Sequence, residues 1–259
     1  MRITSLLENT TKCQEMQTEH GLSLYIETGR QKILFDMGQS ELFYENAVAL
    51  GIDLTEVDIA VLSHGHYDHG GGLRKFLEIN DHSPVYIHQD AFLPHYNGTE
   101  KYIGLDPALE NHPRILFTED EYRINEQLIL FSCNNQERRN NFGSFGLNEK
   151  VGDRFIPDDF RHEQYLLIEE NGKQVLLSGC SHKGILDIAD WFSPDVLVGG
   201  FHFSKMELNE RLADAARNLA HYPTQYYTCH CTGTEQFIYM KQYIKNLCYL
   251  ACGDTIEIP

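Results

Sequence analysis

Long apolar runs are missing from this sequence. No stretch approaches the roughly 20 residues needed to span a bilayer, and the opening MRITSLLENTTKC lacks the apolar centre of a secretion signal. A soluble, cytoplasmic protein with no membrane partner is therefore expected. Positive charge is scarce as well: lysine and arginine total 21 against 38 acidic residues, a formal net charge of −17. A surface of that sign repels a phosphate backbone, so nucleic acid is not an expected partner. An anionic small molecule would need local positive charge, which a metal centre can supply. Disulfide spacing is absent too. The seven cysteines (Cys13, Cys133, Cys180, Cys229, Cys231, Cys248, Cys252) are odd in number and irregular in spacing, which predicts mostly reduced thiols.

What is present is enough apolar sequence, 42% of 259 residues, to bury a substantial core. GLSLYIETGRQKILFDMG predicts two strands around a turn at Gly29-Arg30, and SELFYENAVALG a helix capped by Ser40. VDIAVLS is a short buried strand, GLRKFLEIN a helix and PVYIH a strand. EQYLLIEENGKQVLLSG predicts a hairpin closed by Asn171-Gly172. Beyond it, GILDIADWF, NERLADAARNLAHY (capped by Asn209) and TEQFIYMKQYIKN are helical; DVLVGG and QYYTCH are strands, and TIEI an edge strand. From about 92 to 160 the pattern weakens into Asn, Gly, Pro and charge, with RILF and QLILFS as strand fragments. This loop-rich insertion is expected to be either a lid over a substrate or a mobile surface element. Its Tyr96, Tyr102, Phe142 and Phe145 could line a pocket or pack as a small cluster. A lid could also pair two copies as a homodimer.

The chemistry concentrates in VLSHGHYDHGGG, residues 61–72. Histidines at i and i+2 after a strand can share a metal, and Asp68 and His69 follow in the next turn. Glycines 70–72 let the chain turn tightly beside them. In CHC, strand alternation would put Cys229 and Cys231 on one face and His230 on the other, inward one. Cys248 and Cys252 suggest packing at a helix end. The histidines at 20, 82, 88, 95, 112 and 221 have no ligand-like context.

His64-x-His66-x-Asp68-His69 resembles the signature of the metallo-β-lactamase superfamily. More narrowly, HGLSLYIETG, LFDMGQS, SHGHYDHGGGL, SGCSHKGI, GGFH and CHCTG, spread over residues 20 to 233, resemble the branch of the 7,8-dihydropterin-6-methyl-4-(ribofuranosyl)aminobenzene-5′-phosphate synthases. The resemblance implies one α/β domain over 1–259, an αββα sandwich of two mixed sheets flanked by helices, with two metal ions at one edge. It implies His64 and His66 on the first ion, and Asp68, His69 and His230 on the second. The further ligand of the first ion is expected to be His182, with His162 as the alternative. Cys180, where most of the superfamily carries a bridging aspartate, is either a thiolate ligand or a small buried residue. Asp36 is expected to accept a hydrogen bond from a ligand imidazole.

The expected cofactor is Zn2+, two ions, with iron or manganese as alternatives, because His66 stands where di-iron relatives carry a carboxylate. Such ions lower the pKa of bound water to about 7, giving hydroxide at neutral pH. The resulting expectation is a metal-dependent hydrolase acting on a small anionic substrate such as a phosphate ester or pyrophosphate. Asp68 would orient the nucleophile, and His202 would stabilise an oxyanion. Lys183 could add charge beside the metals or be a solvated loop lysine. The alternatives are a pyrophosphate-releasing transferase of the named branch, a di-iron redox protein, and a non-catalytic small-molecule sensor.

Overall fold

A computed structural model describes residues 1–140 and 142–259; residue 141, within the 92–160 stretch, lies outside the described residues. Two seven-stranded sheets make the body of the molecule. The first runs, in spatial order, Thr255–Glu257, Arg2–Leu7, Ser23–Glu27, Lys32–Phe35, Ile59–Val61, Val85–His88 and Ile115–Thr118. The second runs Leu247–Tyr249, Gln225–Thr228, Val196–Gly199, Lys173–Ser178, Tyr165–Glu170, Leu128–Phe131 and Glu121–Arg123. Both are mixed. The first is antiparallel up to Lys32–Phe35 and parallel beyond it; the second is parallel from Leu247–Tyr249 to Lys173–Ser178 and antiparallel thereafter.

Three apolar layers define an αββα sandwich. Between the sheets lie Leu24, Phe35, Val61, Leu130, Leu166, Leu177 and Val198. Outside the first sheet, Leu34, Ala60 and Leu62 pack on Phe43 and Ala47 of helix Leu42–Ala49 and on Leu73 and Phe76 of helix Leu73–Ile79. Outside the second, Leu176, Leu197 and Tyr226 pack on helices Ile185–Phe192, Glu210–Leu219 and Thr234–Met240. The central strands are buried on both faces, so their sequences are nearly continuous apolar runs, as in VLLS and DVLVG. Burying one such Leu or Val contributes roughly 1.5–3 kcal/mol, and the sum makes the strand ends a rigid platform.

Several expected elements form as read, including the hairpin whose Asn171 and Gly172 have φ of 53° and 77°, the primed-turn geometry that asparagine and glycine tolerate. Asn209 caps its helix by accepting the Arg211 N–H (3.0 Å). Ser40 differs: Glu41 occupies the cap position, while the Ser40 hydroxyl donates to Glu19 and accepts the Leu42 N–H. Cys248 lies in a strand rather than at a helix end. The first strand, RITSLL, has no sequence expectation behind it; it pairs with both Ser23–Glu27 and the C-terminal Thr255–Glu257.

The 92–160 stretch divides among three sheets. Ile115–Thr118 and Leu128–Phe131 extend the two large sheets. His95–Asn97, Lys101–Tyr102, Leu147–Val151 and Arg154–Pro157 form a separate antiparallel sheet of four strands. Tyr96 packs on Tyr102 and Phe155, and Phe142 on Phe203; of the four aromatic residues, Phe145 is the one whose ring meets a cavity residue, His202 (5.1 Å).

Candidate metal centre

Parallel register brings the C-terminal ends of five strands to one edge of the sandwich. Phe35 pairs with Val61, Ser178 with Gly199, and Gly199 with Thr228. The chain therefore leaves the sheets together at Asp36, at 63–69, at 180–182, at His202 and at His230. Tight exits are needed there. Asp36, Phe160, Ser181, His202 and His230 all adopt left-handed backbone, with φ between 48° and 61°. Non-glycine residues in that region cost of order 1 kcal/mol each and cluster where side chains must be aimed.

Asp36 is buried beneath the histidine turn. Its Oδ1 accepts the Ser63 N–H, and its Oδ2 accepts both the Ser63 hydroxyl and His69 Nδ1–H, all at 2.7 Å. Because the Ser63 hydroxyl is spent on Asp36, its oxygen accepts His64 Nδ1–H (2.8 Å). On the opposite wall, Asn9 Oδ1 accepts His230 Nδ1–H (2.8 Å), while Glu8 accepts the His230 main-chain N–H (2.7 Å). His64, His69 and His230 thus each carry the proton on Nδ1 and turn a bare Nε2 lone pair inward.

The lone pairs of His69 and His230 face one another with no proton between them, and other donor atoms crowd close by. His69 Nε2 is 3.2 Å from His230 Nε2; Asp68 Oδ2 is 3.5 Å from His230 Nε2, and Cys180 Sγ is 3.3 Å from His69 Nε2. On the other side, His64 Nε2 is 3.3 Å from His182 Nε2, with His66 completing the group within 4.8 Å. Ligands about 2.0–2.1 Å from a tetrahedral zinc ion are about 3.3 Å apart. Converging electron pairs repel unless a cation lies among them, so this donor set fits divalent metal ions.

The protonation states agree. Burial, reinforced by neighbouring imidazoles, holds His64 and His182 well below the usual histidine range, which leaves both neutral as a metal requires. Burial also lowers His66. For Asp68, burial pushes the carboxyl up, but the histidines around it, His20 first, outweigh that and hold it well below the ordinary value. Burial pushes the Cys180 thiol well up, so without a cation it remains a thiol.

The other candidates fall as follows. His202 lines the cavity, its ring 4.2 Å from that of His182, and its Nδ1 is buried without a partner. Lys183 is not solvated: it is buried, with Nζ donating to the Ser132 and Glu163 carbonyls, and burial lowers it to about 8. Strand alternation does not govern CHC, because the strand stops at Thr228 and His230 opens a turn. Cys229 consequently packs between the sheets, while Cys231 donates to the Cys180 carbonyl. None of the seven cysteines is paired with another.

Two histidines set aside on sequence grounds belong here after all. His20 accepts from the Asn9 amide at Nδ1 (3.2 Å), so its Nε2–H donates to Asp68 Oδ2 (3.2 Å). His95 is buried and bonded to Asp158 (2.9 Å). Glu163, also unanticipated, accepts the main-chain N–H groups of His182 and Lys183 (2.7 and 3.0 Å) and so holds the loop that carries His182. These partners are scattered along the chain without a local pattern.

A cavity of about 200 Å3 opens over the cluster, lined by His66, Asp68, His182, His202 and His230, with Lys101 and Lys205 at its rim. No helix among the described residues is long and apolar enough to cross a membrane. An αββα sandwich with histidine and aspartate clusters at the strand ends defines a class of metal-binding enzyme folds. Residues 17–224 match the metallo-beta-lactamase superfamily, and the chain belongs to it. It is 29% identical to the uncharacterized protein MJ0448 of Methanocaldococcus jannaschii, over 98% of this chain and 99% of that one. It is also 26% identical to the same organism's 7,8-dihydropterin-6-methyl-4-(beta-D-ribofuranosyl)-aminobenzene-5'-phosphate synthase, over 93% and 90%. The crystal structure of Tm1679, a metal-dependent hydrolase of the beta-lactamase superfamily, superposes with a TM-score of 0.85 at 28% identity, covering 100% of this chain and 99% of that one.

Proposed function

We propose that this protein is a binuclear metal-dependent hydrolase of a small anionic substrate, a phosphate ester or diphosphate. The observation that carries the reading is the convergence of bare Nε2 atoms from His69 and His230 on the Asp68 carboxylate, beside a second group of His64, His66 and His182. In this reading His64, His66 and His182 hold one ion and Asp68, His69 and His230 the other, with Cys180 able to contribute its sulfur. Zinc suits a donor set of imidazole, carboxylate and thiol. Bound ions of this kind activate water near neutral pH and offset negative charge on a reacting phosphorus or carbonyl oxygen.

The chain's own groups do the rest. Asp68 orients the attacking water and holds the proton it gives up, while His20 Nε2–H keeps the carboxylate aimed. His202, on the cavity wall, donates a ring N–H to the oxygen that gains charge. Lys101 and Lys205 draw the anion in, which a chain of net charge −17 otherwise opposes.

A second reading, a transferase that condenses a pterin pyrophosphate with an aminobenzene ribotide, is supported by the 26% identity to the synthase. The cavity weighs against it: about 200 Å3 lies below the 300–1,000 Å3 or so typical of drug-sized ligand sites, and two organic substrates need more. The test is a panel of phosphate monoesters, diesters and diphosphates assayed before chelation, after it, and after adding Zn2+ back. Metal-dependent release of phosphate or alcohol from single substrates supports the hydrolase; turnover only when both pterin and ribotide are supplied supports the transferase. Metal-independent turnover, or none at all in a protein that binds no metal, rejects both.

A further inference from the structure

Behind the His64-Gly65-His66 turn, on the side away from the cavity, sits a second buried cluster that the proposed reaction does not use. Asp158 accepts the Phe160 N–H at Oδ1 (2.7 Å), and at Oδ2 it accepts His95 Nδ1–H (2.9 Å) and His162 Nε2–H (3.2 Å). His162 in turn accepts the Gly65 N–H at Nδ1 (2.9 Å). The His95 ring lies 3.9 Å from that of His162, closing the cluster on its far side. His66 turns its Nε2 toward the same carboxylate oxygen, but at 4.0 Å it is beyond hydrogen-bond reach, and that nitrogen is buried without a partner.

His66, His95, Asp158 and His162 place one donor atom each within 4.8 Å, so the cluster could be mistaken for a third cation site. The proton inventory argues otherwise. A neutral imidazole that accepts at Nδ1 carries its proton at Nε2, so His162 has no lone pair free for a cation. Asp158 already receives three N–H groups. Every polar bond of His162 instead runs between that carboxylate and the one peptide group separating two proposed metal ligands.

We infer that His162 and Asp158 are positioning residues for the metal-binding turn: His162 fixes the Gly65 N–H between His64 and His66, and Asp158 fixes His162. The inference rests on the metal reading above. It explains why a histidine occupies position 162 without being a ligand. Partners at this remove from a metal typically change affinity about ten- to a hundredfold. The effect should fall on the ion held by His64, His66 and His182 and leave the ion of Asp68, His69 and His230 nearly untouched.

The experiment is a Zn2+ titration of the full chain against a competing chelator, which resolves the two affinities, in three variants at one position. His162→Asn keeps an acceptor where Nδ1 was and loses the reach to Asp158; His162→Gln keeps that reach and loses the acceptor; His162→Phe loses both. The expected result is two zinc equivalents in the unmodified protein and weakening of one of them by about ten- to a hundredfold in the Phe and Gln variants, with the Asn variant restored to within a few-fold. Should the Phe variant fail to fold, the Asn and Gln pair decides alone. Equal affinities across all folded variants overturn the inference and leave the metal reading intact. A third zinc equivalent in the unmodified protein, lost in all three variants, overturns it in favour of a cation at Asp158. A protein that binds no metal overturns both.

Discussion

Replacing Asp36 by asparagine is the sharpest probe of the proton arrangement, because the side chain keeps its shape and changes one oxygen into a donor. The new NH2 cannot face the Ser63 main-chain N–H, which has no other state, so it must occupy the place of Oδ2. There it meets His69 Nδ1 and the Ser63 hydroxyl, both donors to Asp36 in the native protein. Each must reverse. His69 moves its proton to Nε2, and the Ser63 hydroxyl turns to donate to His64 Nδ1, which pushes that proton to Nε2 as well. One substitution therefore blocks a ligand nitrogen in each half of the centre.

Losing such a partner weakens metal binding about ten- to a hundredfold. At a free zinc concentration about 100 times the native Kd, binding of each ion stabilises the fold by about 2.7 kcal/mol; a loss of about thirtyfold leaves about 0.9 kcal/mol. For a chain of this size the difference, about 1.8 kcal/mol at each of the two ions, lowers the metal-induced rise in Tm by roughly 7–14 °C. The assay is thermal melting with and without Zn2+, beside chelator competition, and the metal-free melting point controls for damage to the fold. Ser63→Ala, which removes only the partner of His64, should weaken one ion and spare the other. If Asp36→Asn binds both ions with native affinity and shows the native metal-induced shift, the tautomers assigned to His64 and His69 are wrong.

Gly65→Ala should abolish tight metal binding: a Cβ there would lie 2.1 Å from the Ala91 carbonyl oxygen and 2.9 Å from its Cα, a clash with main chain that only displacement of the turn relieves. Overpacking of this kind costs about 1–3 kcal/mol, read as a fall in the urea midpoint of the metal-free protein. His88 supplies a pH dependence. Burial lowers it to about 4, so on acidification the unfolded chain takes up its proton first; this contribution to stability is full above about 6.5 and is lost as the pH falls toward 4. That window corresponds to roughly 3 kcal/mol, and urea unfolding of metal-free protein between pH 7 and 4 should show a shallower slope in His88→Gln. Charge reversal at the rim, Lys101→Glu or Lys205→Glu, should raise KM for a phosphate substrate about three- to tenfold, more than it lowers kcat, and the effect should shrink at high salt. A KM that is indifferent to both substitutions would remove the lysines from substrate capture.

The sandwich was legible because its strands are short apolar runs set between turn residues, and the ligand cluster because four of its members fall within six positions. Asp36, His182 and His230 were reachable through resemblance, since each follows a recognisable strand. Other residues of the centre carry no such mark. Asn9 meets His230 across 221 positions and Glu8 meets its amide across 222; nothing local in LLEN announces a hydrogen bond to a proposed metal ligand. His95 and Asp158 sit in segments whose composition reads as loop, and only the separate four-stranded sheet brings them to the back of the turn. The alternation rule misplaced the two cysteines around His230 for a related reason. It presumes that a strand continues, whereas this one ends at Thr228, and the left-handed residue that follows is a histidine rather than the glycine or asparagine that would signal a turn.

These partners share a consequence for how the site is built. The nitrogens turned away from the cavity in His64, His69 and His230 are held by side chains from other parts of the chain: by Asp36 through Ser63, by Asp36 directly, and by Asn9. The inward nitrogens are thus aimed before any ion arrives, at the expense of a left-handed backbone at Asp36 and His230 and of several carboxyl groups buried in an already acidic chain. Metal-free, such an edge presents lone pairs and carboxylate to the cavity and repels an anion; in the proposed reading, two divalent ions would reverse the sign of that field. Selection for the proposed anionic substrate therefore would not come from the rim lysines alone. In that reading it would follow from metal occupancy, which in turn depends on protons kept at Nδ1 by Asp36, Ser63 and Asn9.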